Sequence, residues 1–303
     1  MQSSTVPAWG MRRMKVLVTG ASGQLGKDVV KVFQEQGHDV LGYDREQLDI
    51  TDLQQTVKIV GQYQPDVVIH CAAYTAVDAA ETDVDGAYQV NVAGTRNMAL
   101  AAEKVGAKLV YISTDYVFDG TAKQPYHEYD NTNPQSIYGK SKRAGEVLTQ
   151  TLSSRYFIVR TSWVYGLHGN NFVKTMLKLG QEKPLLQVVN DQKGSPTYTV
   201  DLARFLAELI QTEKYGVYHA SNSGSCTWYE FTQAILQDAA EILDAKITAK
   251  LEPCSTEQFP RPAARPRNSV MEHIAIRTNG LNDLRDWREG LRDFLQECLS
   301  KSE

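Results

Sequence analysis

The chain has 303 residues, of which 42% are hydrophobic and 22% are charged, and its net charge at neutral pH is −4. This length allows one large domain or two interleaved ones, and the composition excludes an intrinsically disordered chain, a collagen and a coiled coil. A mildly acidic chain is also a poor candidate for general nucleic-acid binding, which depends on basic surface. No stretch approaches the ~18 apolar residues of a membrane-spanning helix, so no membrane partner is expected.

The four cysteines are widely separated, at positions 71, 226, 254 and 298. This spacing is not typical of a disulfide scaffold, and it contains no C-x-x-C zinc pattern. We therefore expect a reducing, cytoplasmic setting. Residues 1–13 are interpreted as a loose N-terminal extension, because no apolar run of signal-peptide length follows Trp9.

Strands and helices alternate regularly from Met14 onward. Short apolar runs predict buried strands, and the amphipathic stretches between them predict helices. The strands are predicted at 15–19, 39–43, 66–70, 108–113 and 156–160, and the helices at 24–36, 51–63, 84–105 and 137–152. We expect Gly37 to end the first helix and Thr51 to cap the second. The alternation predicts an α/β fold with a doubly wound parallel sheet of the Rossmann type.

Strands become fewer and loops become longer after Thr161. Further helices are predicted at 170–180, 199–212, 227–243 and 286–299, and four prolines exclude a regular helix between Glu252 and Arg267. We therefore predict a Rossmann domain over residues 14–161 and a smaller C-terminal lobe over 162–303, interleaved with the first. Ligands of open α/β sheets bind at the carboxyl ends of the strands, which such a lobe would cover.

A glycine-rich turn joins the first predicted strand to the first predicted helix, with Gly20, Gly23 and Gly26 in a G-x-x-G-x-x-G spacing. Gly20 would allow the tight turn, Gly23 the approach of a phosphate, and Gly26 close packing of helix on strand. The N–H groups at the helix N-terminus would then hold a pyrophosphate. The turn predicts a dinucleotide site, with a plain β-to-α turn as the alternative.

Acidic residues follow the second predicted strand. Asp44 lies near the spacing from the glycines at which an acid binds the adenosine ribose, whereas its neighbour Arg45 would hold a 2′-phosphate. Asp49 and Ile50 would bind and cover the adenine. The alternatives are a solvated loop carboxylate for Asp44 and an ordinary helix N-terminal acid for Asp49.

Tyr138 and Lys142 are predicted to share one face of a helix. A tyrosine that transfers a proton near neutral pH needs its pKa lowered by about three units, or roughly 4 kcal/mol. An ammonium at ~4 Å supplies about that much in an effective dielectric of 20. Thr114, at the end of the fourth strand, would hydrogen-bond a substrate carbonyl beside Tyr138. The alternatives are a surface Tyr–Lys pair and a polar turn cap.

These motifs together resemble the extended short-chain dehydrogenases/reductases over nearly the whole chain from Met14. Four more local strings resemble the dTDP-4-dehydrorhamnose reductase family; they lie at Cys71–Glu81, Ser113–Gly120, Gly194–Thr199 and Arg265–Ser269. The resemblance implies reduction of the C4 ketone of dTDP-4-dehydro-L-rhamnose by NADPH or NADH, in rhamnose and polysaccharide biosynthesis. It makes residues 14–161 an NAD(P)-binding domain and residues 162–303 mainly a substrate-binding lobe, in a monomer or a homodimer.

The resemblance also implies roles for individual residues. Cofactor contacts are implied for Gly23, Gln24, Leu25, Asp44, Asp49, Ile50, Ala72, Ala73, Tyr74 and Lys142, and substrate contacts for Thr114, Asp115, Trp163, Arg265 and Asn268. Tyr138 is implied as the proton donor with Lys142 as its partner. Some members bind magnesium between subunits through acidic residues, and Asp28 matches one of these, but no full set of acids is present. No metal site is therefore predicted.

The arginine-rich loop around Arg265 and the side chain of Trp163 both have simple structural alternatives to a substrate contact. Arg261, Arg265 and Arg267 would offset the charge of a diphosphate, because the planar guanidinium suits phosphate oxygens. The alternative is a solvated basic loop. For Trp163 the alternative is a buried core side chain.

The sequence leaves three other functions open. A sugar-nucleotide epimerase or dehydratase of the same superfamily would keep NAD⁺ bound, although Tyr116 stands where a dehydratase needs a second acid after Asp115. A non-enzymatic regulatory subunit of the kind found with methionine adenosyltransferase carries the same Tyr-x-x-x-Lys spacing. A purely structural nucleotide-binding module would leave that spacing unexplained.

Overall fold

The computed structural model describes residues 12–300, so residues 1–11 of the predicted N-terminal extension lie outside the described residues. The strands are β1 Lys15–Thr19, β2 Asp39–Tyr43, β3 Val67–His70, β4 Lys108–Thr114, β5 Tyr156–Thr161, β6 Val164–Tyr165, β7 Leu185–Val189, β8 Lys193–Gly194, β9 Thr197–Tyr198, β10 Gly216–His219, β11 Cys226–Thr227 and β12 Lys250–Cys254. The helices are α1 Gln24–Glu35, α2 Leu53–Tyr63, α3 Val77–Ala80, α4 Val84–Tyr88, α5 Thr95–Lys104, α6 Ile137–Leu152, α7 Phe172–Glu182, α8 Thr199–Leu209, α9 Trp228–Ile242, α10 Ile274–Thr278 and α11 Trp287–Ser300.

A parallel sheet of six strands lies at the centre, in the order β2-β1-β3-β4-β5-β10. Successive residues of β1 point to opposite faces, so Val16 and Val18 pack in one apolar cluster with α1 and α8, and Leu17 packs in another with α2 and α5. Both faces are therefore covered by helices. The predicted doubly wound α/β fold is confirmed.

The strand order places a topological switch point beside β1. Its two neighbours, β2 and β3, follow it in the chain but lie on opposite sides of it. The connections diverge there and leave a crevice at the carboxyl ends of β1 and β3. This crevice is where the glycine-rich turn and the segment after Cys71 come together, since the amide of Cys71 donates to the carbonyl of Thr19.

Three local predictions need correction. Helix α2 is capped by Asp52, whose carboxylate accepts from the amide of Gln55, and not by Thr51. The helix predicted over 84–105 is interrupted by a π-helical stretch at Gln89–Gly94. Strand β10 was not predicted, because its run of four residues is too short to stand out in a segment rich in loops.

The chain after Thr161 builds a second apolar cluster and also returns to the central sheet. Helices α7, α9 and α11 pack around Phe231 and Phe294 with β7. Helix α8 and strand β10 instead join the core of the sheet through Leu206 and Tyr218. Because α8 and β10 belong to the core of the sheet, the division of the chain into a cofactor domain ending at residue 161 and a substrate lobe beginning at residue 162 stays a prediction. Within residues 12–300, no helix is long and apolar enough to cross a membrane.

Gly145 is the point of closest approach between α6 and its neighbours. A Cβ atom there would clash with the Tyr111 hydroxyl and would lie 2.7 Å from the carbonyl oxygen of Asn91. Gly145→Ala should therefore lower the free energy of unfolding by about 1–3 kcal/mol, as overpacking does. Urea unfolding measures this effect.

Gly61 in α2 provides the matched control, because a Cβ atom there meets nothing within 4 Å. Gly61→Ala should raise the free energy of unfolding by about 0.5–1 kcal/mol, since alanine restricts the unfolded chain and suits a helix better. Equal stabilities for the two variants would contradict the packing described here.

Candidate active site

A cavity of about 1700 Å³ opens at the carboxyl ends of the central strands. Its wall includes the glycine-rich turn, the segments that follow β2, β3, β4 and β5, the residues of α7 and β7, and part of the loop from 259 to 266. The volume exceeds the ~300–1000 Å³ of a pocket for one drug-sized ligand. The cavity therefore has room for a dinucleotide and a second ligand side by side.

The glycine-rich turn has the geometry that a pyrophosphate requires. Gly20 has a φ of +64°, and a Cβ atom there would lie 2.8 Å from the amide nitrogen of Ala72. A Cβ atom at Gly26 would clash with the carbonyl oxygen of Gly20. No side chain caps α1 at Gly23, so the first N–H groups of the helix face the cavity. These residues fit a dinucleotide phosphate.

The predicted adenosine end also lies at the cavity wall. Asp44 accepts at Oδ1 from the amides of Glu46 and Gln47, at 3.0 and 3.1 Å, and at Oδ2 from the Ser22 hydroxyl at 3.4 Å. Arg45 lines the same part of the wall.

The predicted adenine contacts are held firmly. Hydrogen bonds from the hydroxyl and the amide of Thr51 lower the pKa of Asp49. Ile50 is buried and packs against Gly94, where any side chain would displace it. Both residues line the cavity.

Gln24 connects the glycine-rich turn to the second lobe. Its Nε2 donates to the carbonyl of Val164 at 3.0 Å, and its Oε1 accepts from Nδ2 of Asn171 at 2.9 Å. Leu25 follows it, almost fully buried at the cavity wall. The side chain of Gln24 therefore positions the wall, and its backbone faces the cavity.

Ala72, Ala73 and Tyr74 line the cavity after β3, and Asn91 fixes them in place. Its side chain accepts from the amide of Tyr74 at 2.8 Å and donates to the carbonyl of Tyr74 and the hydroxyl of Ser141. Asn91 lies in the π-helical stretch and thus ties this segment to α6. Sequence reasoning missed it, because an asparagine inside a helical pattern carries no signal of its own.

Thr114 and Tyr138 line the same cavity. Burial raises the pKa of Tyr138 to about 12, with a contribution from the charge of Asp115, and the nearby Thr114 hydroxyl opposes the rise. The expectation that Lys142 would lower this pKa is wrong in the structure. The phenol is therefore protonated at neutral pH and fits a proton donor.

Lys142 lies in the same wall but turns toward β4. Its Nζ donates to the carbonyl of Ile112 at 2.7 Å and lies 4.1 Å from the ring centroid of Tyr111. Burial lowers the pKa of Lys142 to about 7, and Glu146 opposes this shift. Burial dominates at both Tyr138 and Lys142, which is why their spacing alone does not predict their pKa values.

Asp115 is fully buried at the foot of the cavity. It accepts from the Thr114 hydroxyl at 2.9 Å. Burial raises its pKa to about 6, while the neighbouring Ser269 hydroxyl and the hydrogen bond from Thr114 limit the rise. A carboxyl group of this kind changes its charge close to the physiological range.

Trp163 forms part of the substrate side and packs on a second tryptophan. Its ring stacks on Trp228 with centroids 3.5 Å apart, and its backbone has a φ of +48°. A Cβ atom at Gly194 would lie 2.5 Å from its ring. Trp163 therefore lines the cavity and also borders the second apolar cluster, so both sequence interpretations describe part of its environment.

Arg265 reaches the cavity, but it already has an anionic partner. Its Nη2 donates to Oδ2 of Asp78 at 2.8 Å, and its Nη1 donates to the carbonyl of Ala263 at 3.3 Å. These bonds use two of the five N–H groups of the guanidinium. Asp78 was not singled out from the sequence, although it lies inside the string that begins at Cys71.

Asn268 does not line the cavity, and neither does Arg267. Its Nδ2 donates to the carbonyl of Ala122 at 2.9 Å, and its Oδ1 accepts from the amide of Val270 at 3.2 Å. The predicted substrate contact is therefore not supported, because the amide is occupied in holding two loops together. Cavity residues that carried no sequence signal include Phe172, Trp228 and Phe259.

Asp28 does not form a metal site in the structure. It is buried between α1 and α8, where Oδ2 accepts from the Thr199 hydroxyl at 2.5 Å and burial raises its pKa. Over residues 12–300, no three His, Cys, Asp or Glu side chains are grouped so that they could hold a metal ion.

Comparison with known proteins agrees with this geometry. Residues 14–300 match the family model for the RmlD substrate binding domain. The chain is 46% identical to the spore coat polysaccharide biosynthesis protein SpsK of Bacillus subtilis strain 168, covering 94% of this chain and 98% of that protein. It is 40% identical to a dTDP-4-dehydrorhamnose reductase of Aggregatibacter actinomycetemcomitans, covering 92% and 98%.

A solved structure is equally similar. The dTDP-4-dehydrorhamnose reductase of Bacillus anthracis strain Ames, crystallised with NADP, superposes with a TM-score of 0.90 at 47% identity, covering 94% of this chain and all of that one. These matches extend over both lobes and include the glycine-rich turn, the Tyr–Lys helix and the arginine loop. The chain therefore belongs to the dTDP-4-dehydrorhamnose reductase family.

Proposed function

We propose that this protein reduces the C4 ketone of dTDP-4-dehydro-L-rhamnose to the alcohol of dTDP-L-rhamnose, using NADPH or NADH, for polysaccharide biosynthesis. The observation that carries the proposal is that Thr114 and Tyr138 line one cavity together with a glycine-rich turn suited to a dinucleotide and with Arg265 suited to a diphosphate. The names of the relatives support the same activity.

The glycine-rich turn and the wall at Ala72–Tyr74 would hold the cofactor. When bound there, the reduced nicotinamide supplies a hydride, which forms the new C–H bond at C4. The segment after β3 is held by Asn91 and cannot easily shift, so the face of the cavity beside Thr114 is preorganised.

Proton transfer to the ketone oxygen is assigned to Tyr138. The electron pair of the C=O bond moves to oxygen as the hydride arrives, and the Tyr138 hydroxyl donates its proton to that oxygen. Because the tyrosine pKa lies near 12, the group is in the donor form across the neutral range. Thr114 hydrogen-bonds the same oxygen, and the ammonium of Lys142, one helical turn from Tyr138, stabilises the negative charge that develops.

The substrate side offers an aromatic wall and positive charge. Trp163 and Trp228 form a stacked pair beside the cavity, and Phe172 packs on Trp228 with centroids 4.4 Å apart. Arg265 and Arg261 supply local positive charge in a protein that is acidic overall. This combination suits a nucleotide sugar, which has a flat base and a diphosphate.

The other functions fit less well. The residue after Asp115 is Tyr116, where a dehydratase needs a second acid. Because burial raises the pKa of the Tyr116 hydroxyl, this residue cannot serve as that acid. A regulatory subunit carries the same Tyr-x-x-x-Lys spacing, and the names of the relatives favour the reductase over it. A cytoplasmic location and a monomeric or dimeric state belong to this proposal as well; the wide spacing of the four cysteines in the sequence is not that of a disulfide scaffold, which supports a reducing compartment.

Tyr138→Phe tests the proton donor. The variant keeps the ring that packs on Tyr116 but loses the hydroxyl, so kcat should fall by about 10²–10⁴-fold while KM changes little. Oxidation of NADPH in the presence of dTDP-4-dehydrorhamnose measures this. Turnover at the wild-type rate would remove Tyr138 from the mechanism.

Arg265→Ala tests the diphosphate contact. Loss of a charge-assisted hydrogen bond should weaken dTDP binding by about 1.5–3 kcal/mol, with NADPH affinity unchanged. Arg267→Ala is the matched control, because it removes the same charge from an exposed position off the cavity wall. Calorimetric titration with dTDP measures the affinity of each variant. Equal weakening of dTDP binding by both variants would mean that Arg265 is part of a general basic loop.

Arg45→Ala tests cofactor selection. The guanidinium of Arg45 would attract the 2′-phosphate of NADPH, whereas the carboxylate of Asp44 favours the free ribose hydroxyls of NADH. We expect both cofactors to be used by the wild type, and the variant to lose affinity for NADPH more than for NADH. An equal loss for the two would mean that Arg45 does not reach the phosphate.

A further inference from the structure

A buried ionic cluster lies directly behind the catalytic wall. It joins Glu146 on α6 to Arg160 on β5 and to Ser113 on β4, and none of the three is more than 4% exposed. Oε1 of Glu146 accepts from the Ser113 hydroxyl at 2.6 Å and from Nε of Arg160 at 2.8 Å. Oε2 accepts from Nη2 of Arg160 at 2.9 Å and from Nη1 of Arg143 at 3.3 Å.

The cluster connects the two elements that carry the reacting groups. Glu146 follows Lys142 by one helical turn and Tyr138 by two, so all three share one face of α6. Ser113 immediately precedes Thr114 at the end of β4. The carboxylate of Glu146 therefore fixes the position of the Tyr138 helix relative to Thr114.

Stability alone does not account for this arrangement. The desolvation of two buried charges offsets most of their attraction, and apolar side chains of similar size often serve a core as well. A second role for the buried carboxylate of Glu146 is therefore the effect of its negative charge on the pKa values of nearby groups.

Lys142 is the cation that responds to that charge. The groups facing it from β3 and β4 are His70, Cys71 and Tyr111. All three are neutral near pH 7, because burial lowers the pKa of His70 to about 3, raises that of Cys71 to about 12 and raises that of Tyr111.

On α6 itself, Tyr138 is also protonated near pH 7. Arg160 and Arg143 donate hydrogen bonds to the carboxylate of Glu146, and the negative charge of Glu146 raises the pKa of Lys142. Within the described residues, Glu146 is thus the anion that favours the charged form of Lys142.

We propose that Glu146 is a positioning residue for the reduction, whose carboxylate holds the helix of Tyr138 and Lys142 against β4 and Thr114 and places a negative charge one helical turn from Lys142. This inference rests on the proposed function, which gives Tyr138 and Lys142 their roles. Glu146 touches neither ligand and acts through its neighbours.

The direction of the expected effect follows from the charges. Burial lowers the pKa of Lys142 to about 7, and the negative charge of Glu146 raises it toward the ordinary lysine value. Removing that charge lowers the pKa of Lys142 further. The lysine then loses its proton at a lower pH, and activity that needs the ammonium is lost earlier as the pH rises.

The test is Glu146→Gln, which keeps the size of the side chain and its bond to Ser113. The alkaline limb of kcat should move down by about one pH unit or more, the range for loss of a nearby opposite charge. A second readout needs no ligand: in protein with ¹³C-labelled lysine side chains, the Lys142 resonance, identified by its loss in Lys142→Arg, should titrate at a correspondingly lower pH.

Two controls separate charge from structure. Ser113→Ala removes one neutral hydrogen bond of the cluster and should leave the pKa of Lys142 where it is in the wild type. Glu146→Asp keeps the carboxylate and should restore most of the wild-type pH dependence. Where Glu146→Gln does not fold, Glu146→Leu combined with Arg160→Met removes both buried charges together and should still lower the pKa of Lys142.

Unchanged titration of Lys142 in a folded variant that lacks the carboxylate would overturn the inference. Failure of the wild type to oxidise NADPH with the dTDP-ketosugar would overturn the proposed function instead. The titration of Lys142 in the ligand-free protein would still decide whether Glu146 controls its charge, so the two failures are distinguishable.

Discussion

The packing of helix α6 against strand β4 is the constraint on which the site depends. Gly145 allows the helix to approach within contact of Tyr111, and the buried carboxylate of Glu146 joins the helix to both β4 and β5. Because Tyr138 and Lys142 lie on this helix and Thr114 ends this strand, one packing contact sets the geometry of three functional groups. The packing of α6 on β4 therefore forms part of the core and also part of the cavity wall.

The sequence predicted the fold well, because the fold depends on periodicity and on turn chemistry. The alternating apolar runs located the first five strands, and the glycine triplet located the crevice at the end of β1. A parallel sheet brings strand ends to one edge, so Asp44, Tyr74 and Thr114 were expected at one crevice although they are far apart in the chain. In the structure all three line one cavity.

The electrostatics of the site could not be predicted in the same way. The Tyr138–Lys142 spacing suggested a lowered tyrosine pKa, whereas burial raises that pKa. The ammonium of Lys142 donates to the carbonyl of Ile112. Burial and hydrogen-bond partners are properties of the tertiary structure, which one sequence does not contain. For the same reason Asn268 looked like a ligand contact, while its amide is occupied in joining two loops.

The pairing of Arg265 with Asp78 limits the positive charge that the cavity offers. Two of the five N–H groups of the guanidinium donate to Asp78 and to Ala263, so three remain for another anion. An anion bound at those three would lie beside the Asp78 carboxylate, which would repel it. The net attraction at Arg265 is therefore smaller than the charge of its guanidinium suggests.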